Sequence, residues 1–244
     1  LKQRHLSARY IAVSDLRRRE LCRLLRIPRA QVRVVPDGVD IPALLDLDPG
    51  VWRFFLKQKL ADQDCVLFFP TRVLPRKNLE TAVAIVAALK KLRKKVKLLI
   101  TGAPDPHNPS AAGYFRRIRA LVWKLRLRKD VIFVNSRFRV GFRQLLSLYR
   151  LCDAAVMTSR QEGFGLPLLE AGIQSKPVIC PRRPPFTEIT GSNAIFLSEN
   201  DSIASARRII RQLGRSPSAA HFKRVLRDYS WEAVWKNHLS RLIP

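Results

Sequence analysis

From Asp64 onward, short unbroken apolar runs alternate with longer stretches in which apolar residues recur every three or four positions. The short runs fit strands buried on both faces, and the longer stretches fit amphipathic helices laid over them. The predicted strands are Cys65–Phe69, Val96–Thr101, Val131–Val134, Ala154–Met157, Pro177–Cys180 and Ala194–Leu197. Helices are predicted near 79–93, 112–127, 142–151, 167–174 and 201–213, and two more, 217–227 and 231–242, close the chain without a strand between them. Regular β-α alternation implies parallel strands joined by crossover helices, hence an α/β fold with a doubly wound parallel sheet, Rossmann-like.

Ahead of this region, residues 8–13 predict a strand, Ser14 or Asp15 caps a basic helix from Leu16 to Leu25, and Gln31 to Val35 predicts another strand. Pro36-Asp37-Gly38 then turns the chain sharply, as at a hinge or a domain entry. Asp46 to Asp64 reads as one helix carrying Trp52, Phe55, Leu56 and Leu60.

Two stretches carry candidate chemistry. In Ser159–Glu170 a strand runs through a glycine turn into a helix, with Glu162 before the turn and Glu170 one helical turn beyond it. Gly163 and Gly165 let the backbone approach a ligand closely, Pro167 suits a helix start, and free N–H groups there attract anions. A surface glutamate plus a helix-start charge is the plain alternative, and a glycosidase carboxylate pair is less natural across so tight a turn. The second stretch, Pro70–Asn78, follows the first regular strand; Asn78 suits an N-cap, and Arg76 and Lys77 stand beside the positive end of the next helix. Basic residues at that end are unfavourable unless an anion offsets them, and this combination suits a diphosphate; a solvated loop is the other reading.

Charge adds a rival. Forty-six Lys and Arg against nineteen Asp and Glu give +27, which favours anionic partners. A non-enzymatic α/β module for nucleic acid or an anionic surface is therefore the second reading. The basic residues are spread over nearly every predicted helix and no zinc-finger or aromatic-basic pattern focuses them, so nucleic acid is disfavoured as a partner. The helix from Phe115 to Lys129 pairs an apolar stripe (Phe115, Ile118, Leu121, Val122, Leu125) with seven basic and no acidic residues. The stripe is expected to face the sheet, and the basic faces suggest peripheral contact with an anionic membrane.

Cys22, Cys65, Cys152 and Cys180 form no Cys-x-x-Cys pair and read as reduced core thiols, which fits a cytoplasmic location, at most at the inner face of the membrane. No apolar run reaches the ~18 residues of a membrane span. His5, His107, His221 and His238 lack metal-ligand spacing, so neither a metal nor another cofactor is expected, and Asp105-Pro106-His107 reads as a Pro-rich loop beside the cleft.

Five segments stand in a telling order: Arg76-Lys77-Asn78, Asp130–Val134, Glu162–Glu170, Phe186–Ile189 and Tyr229–Glu232. Together they resemble the C-terminal, donor-binding half of GT-B retaining glycosyltransferases of family four, a group rich in mannosyl- and glucosyltransferases of polysaccharide biosynthesis. The resemblance implies transfer of a hexose from a nucleotide-diphosphate sugar to a glycan or lipid-linked acceptor. It implies that Arg76 and Lys77 hold the diphosphate, Glu162 contacts the donor sugar, Glu170 the ribose, the Gly163–Phe164–Gly165–Leu166 amides the sugar and phosphate, and that Asn135 borders the base. Residues 1–35 then correspond to a remnant of the N-terminal domain with the hinge, and 36–244 to the donor domain with its C-terminal helices, so a longer polypeptide is expected. Departures are Asp37, where Asn is common, and Pro70-Thr71-Arg72, where a glycine before the Arg is frequent.

Overall fold

The computed structural model describes residues 10–102, 109–198, 200–240 and 242; Asp105-Pro106-His107 lies outside them. Two compact units divide the chain, one of residues 45–220 and one in which the segment before Leu45 joins the segment from His221 onward.

In the second of these, β1 (Tyr10–Ala12), α1 (Asp15–Leu25) and β2 (Val32–Val34) form a parallel β-α-β unit with Tyr10 opposite Val32. Ser14 caps α1 by accepting from the Arg17 N–H at 3.2 Å, and Ala12, Leu25, Ile27 and Val32 make its core. A short α2 (Ile41–Leu44) follows.

The larger unit begins with α3 (Pro49–Lys57), capped by Asp48, whose Oδ1 accepts from the Val51 N–H at 2.9 Å. The single helix expected over Asp46–Asp64 is thus broken: the Asp48-Pro49 cap delays its start, and Lys59 at φ 52° separates it from a 3-10 turn at Leu60–Asp62. Next come β3 (Cys65–Phe69), α4 (Leu79–Lys91), β4 (Val96–Ile100), α5 (Pro109–Lys124), β5 (Val131–Phe133), α6 (Phe142–Leu151), β6 (Ala154–Val156), α7 (Leu166–Ile173), β7 (Val178–Cys180), the unpredicted α8 (Phe186–Thr190), β8 (Ile195–Phe196) and α9 (Ser202–Leu213). The six strands form one parallel sheet in the order β5-β4-β3-β6-β7-β8, with Leu67 of β3 opposite both Leu98 of β4 and Ala154 of β6. Every residue of β3 is buried, as expected of a central parallel strand. Burial pushes the Cys152 and Cys180 thiols up to about 12, so they stay protonated.

α5 stops at Lys124 because Arg126 turns left-handed (φ 57°) and the Leu127 N–H donates back to the Val122 carbonyl at 2.9 Å. Ile118 and Val122 of its stripe are buried, Phe115 and Leu121 half-buried, and Leu125 exposed, so the stripe faces inward. Among the described residues no helix is long and apolar enough to cross a membrane.

The last elements among the described residues are α10 (Pro217–Asp228), in place of the helix expected at 217–227, then α11 (Trp231–Val234) and a π-helical turn at Trp235–Leu239 in place of the single helix expected at 231–242. Ser230 caps α11, and the Val39 N–H donates to the Tyr229 carbonyl at 2.8 Å. A Cβ on Gly38 would lie 2.5 Å from the Trp231 ring, so the Pro36-Asp37-Gly38 turn and the Tyr229–Glu232 segment meet and need a glycine there.

Candidate functional site

The strand order places a topological switch between β3 and β6. β3 leads to β4 and β5 on one side and β6 leads to β7 and β8 on the other, so the loops leaving their carboxyl ends diverge and open a crevice between them.

The loop after β3 folds back over β4. The Thr71 N–H donates to Thr101 Oγ1 at 3.0 Å, and a Cβ on Gly102 would lie 2.3 Å from the Thr71 carbonyl oxygen. Close backbone approach is therefore provided by Gly102, just past the end of the neighbouring strand β4. Pro75–Lys77 form a 3-10 turn that presents Arg76 and Lys77. Asn78 does occupy the N-cap of α4, but at φ 51° and ψ 54° and without a side-chain cap bond. Its expected role falls to Tyr114 of α5, whose hydroxyl accepts from the Leu79 N–H at 2.9 Å and donates to Glu80 Oε2 at 2.5 Å. Burial and the Glu80 carboxylate push the Tyr114 phenol far above its usual range, so it remains a donor.

The loop after β6 is stitched to this one. Thr158 Oγ1 lies 2.8 Å from the Asn78 carbonyl and 3.1 Å from that of Lys77, and the Arg160 N–H donates to the Arg76 carbonyl at 2.7 Å. Lys77 Nζ donates to both Glu162 oxygens at 2.7 and 2.8 Å, while Arg76 Nη1 stands 3.7 Å from Glu162 Oε2. The Lys77 and Glu162 side chains are only 12% and 15% exposed, against 48% for Arg76. Arg76 thus remains open to solvent while the lysine is held by a carboxylate.

Gly165 turns the chain at φ 109°, a value that favours glycine, and serves as N-cap of α7 with Pro167 in its first turn. A Cβ at Gly165 would also meet Leu168 at 3.0 Å and Ile189 of α8 at 3.4 Å, which connects the Phe186–Ile189 segment to this turn. Glu170 points back toward α6, where Tyr149 Oη donates to its Oε2 at 2.8 Å and lies 3.2 Å from the Pro167 carbonyl. Tyr149 is fully buried, packed edge-on against Phe68 of β3 with ring centroids 4.9 Å apart. Burial and the Glu170 carboxylate push its phenol far upward, so it stays protonated. Sequence periodicity identifies Tyr149 only as a core-facing aromatic; its partnership with Glu170 depends on the packing of α6 against the sheet.

Asn135 sits in a 3-10 turn after β5, with Oδ1 accepting from the Val140 N–H at 3.2 Å. It lines one cavity with Arg76, Lys77, Glu162, Glu170 and the whole Gly163–Leu166 turn, inside the 45–220 unit. That cavity measures about 1180 Å³, roomy enough for an extended phosphorylated ligand as opposed to a lone anion. Among the described residues no group of three or more His, Cys, Asp or Glu could hold a metal ion.

The glycosyl transferases group 1 family matches residues 51–227. A D-inositol 3-phosphate glycosyltransferase of Actinosynnema mirum is 31% identical over 175 residues, covering 70% of this chain and 40% of the relative. The O-antigen chain mannosyltransferase RfbU of Salmonella typhimurium is 34% identical over 102 residues, covering 41% of this chain and 28% of that protein. Among solved structures, a sucrose-phosphate synthase from Thermosynechococcus elongatus superposes with a TM-score of 0.55 at 27% identity, over 96% of this chain and 57% of the other. The chain therefore spans well under two thirds of these relatives. With the family match running through both loops of the cavity, the chain belongs to the group 1 glycosyltransferases, with their Rossmann-like α/β sheet.

Proposed function

We propose that this chain is the donor-binding part of a retaining, metal-independent glycosyltransferase. It moves a hexose, mannose or glucose, from a nucleotide-diphosphate sugar to a glycan or lipid-linked acceptor. The observation that carries this reading is the convergence of Arg76 and Lys77 from the β3 loop with Glu162 and Glu170 from the β6 loop on one cavity at the switch point.

In this reading the donor diphosphate lies against Arg76 and Lys77. Their positive charge stabilises the negative charge that builds on the departing nucleotide, the task a metal ion performs elsewhere. Glu170, fixed by Tyr149, accepts from the ribose hydroxyls, and the Gly163–Leu166 turn follows the sugar and phosphate. Because Lys77 is bound to Glu162, an entering diphosphate exchanges for that carboxylate and releases it toward the sugar. Asn135 borders the base. The acceptor is positioned by chain outside this donor half, whose orientation supplies much of the rate. The chain's four free cysteines support a cytoplasmic setting.

Donor hydrolysis tests the reaction class. Incubated with GDP-mannose or UDP-glucose in excess EDTA and followed by NMR, the chain should release the α-anomer first, at a slow rate. First release of the β-anomer contradicts retention, and turnover abolished by the chelator contradicts metal independence.

A further inference from the structure

The edge of the sheet opposite the cavity has a character of its own. α4 and α5 both end at the amino ends of the strands, and the connections leading from them into β4 and β5 lie side by side there. β4 and β5 pair in parallel with Leu98 opposite Val131, and Lys97 Nζ donates to the Lys129 carbonyl at 2.6 Å. Six of the eight residues 90–97 and four of the six residues 124–129 are basic. Two carboxylates answer them. Asp130 is buried and lies 3.2 Å from Lys90 and 3.8 Å from Lys97, while Asp64 accepts from the Lys95 N–H at 2.8 Å. Basic residues in a last helical turn complement the helix dipole, which accounts for Lys90, Lys91 and Lys124. It does not account for the seven basic residues that follow the two helices. Beside them Trp123 is 67% exposed and Leu125 39% exposed.

We propose that this edge docks onto an anionic lipid bilayer, with the Trp123 indole and Leu125 entering the headgroup layer and the two basic connections lying against the lipid phosphates. The concentration of positive charge selects a polyanion. An exposed indole and an aliphatic side chain at the margin select a partner with apolar depth, because such residues gain by leaving water for the interface. The inward-facing stripe of α5 takes no part; the surface is made by the helix ends. Docking here keeps the cavity edge, at the other end of the strands, away from the contact. The proposal goes beyond the transfer reaction and does not depend on it.

Flotation of the 244-residue chain with phosphatidylcholine vesicles, with and without phosphatidylglycerol and at two salt concentrations, tests it. Binding should require phosphatidylglycerol and weaken with salt. The triple variant Lys91→Glu/Lys95→Glu/Arg128→Glu should lose affinity on the order of a hundredfold, since each basic residue near an anionic surface contributes several-fold. The triple Arg137→Glu/Arg139→Glu/Arg182→Glu, equal in charge change but beyond the carboxyl ends of β5 and β7, should lose little, and Trp123→Ser should weaken binding at both salt concentrations. Equal loss in the two triples would show diffuse attraction and overturn the proposal. So would unchanged binding by Trp123→Ser, or vesicle binding absent while a single-stranded RNA binds through the same lysines.

Discussion

The two edges of the six-stranded sheet treat charge in opposite ways. At the carboxyl ends, the lysine expected to hold a diphosphate is matched by Glu162 at 2.7 Å, and Glu170 by a buried tyrosine. At the amino ends of β4 and β5, ten basic residues in and flanking two adjacent connections meet Asp64 and the buried Asp130. The net +27 of the chain is therefore not a property of the cavity. A cleft whose lysine is already neutralised binds an anion by exchanging partners, which favours a ligand able to replace a bidentate carboxylate. An edge with surplus charge attracts any polyanion and depends on salt.

Changes to the cavity edge should have the largest effects. Lys77→Ala leaves the half-buried Glu162 without its main partner and directs an uncompensated carboxylate at the incoming phosphates. Nucleoside diphosphate affinity should fall by about 2–5 kcal/mol by calorimetry. A loss no larger than that from substituting an exposed lysine would remove Lys77 from the site. Smaller and more selective is Tyr149→Phe, which keeps the ring against Phe68 and deletes the donor to Glu170. Binding of UDP or GDP should weaken by about 1.5 kcal/mol, while binding of inorganic pyrophosphate stays unchanged. Equal weakening of both ligands would place the effect in the fold instead of in the ribose contact. Smallest of all, the Lys91→Glu/Lys95→Glu/Arg128→Glu triple at the far edge should shift nucleoside diphosphate affinity by less than about 0.5 kcal/mol. A larger shift would mean that the two edges are not independent.

The sheet was legible because its signal is local. The five apolar residues of β3 in a row and the three- and four-residue spacing along α4 report burial directly, and the six strands of this sheet agree with the predicted ones to within a residue at each end. The candidate residues were legible too, since charges and glycines at strand ends are unusual enough to be noticed singly, and the cavity gathers them. Their supports were not. Asn78 has the chemistry of an N-cap, yet its left-handed backbone hands that role to Tyr114, brought from the following helix by tertiary packing. Tyr149 lies within the helix predicted at 142–151, and only the packing of α6 sets its hydroxyl beside Glu170. Gly38 and Trp231, at opposite ends of the chain, are likewise joined only by the fold. Each of these is a non-local partnership, and hydrophobic periodicity carries no information on such pairs.

The proposed exchange of Lys77 from Glu162 to a diphosphate predicts a sign that a simple list of contacts would get wrong. Parallel calorimetric titrations of UDP and GDP into the wild-type chain and Glu162→Gln measure it. The amide keeps the shape of the side chain but cannot hold Lys77 as a carboxylate does. Binding should therefore be saturable in both proteins and at least as tight in the variant, even though donor hydrolysis is lost. Weaker binding in Glu162→Gln, or no saturable binding of either nucleotide to the wild-type chain, would contradict the account.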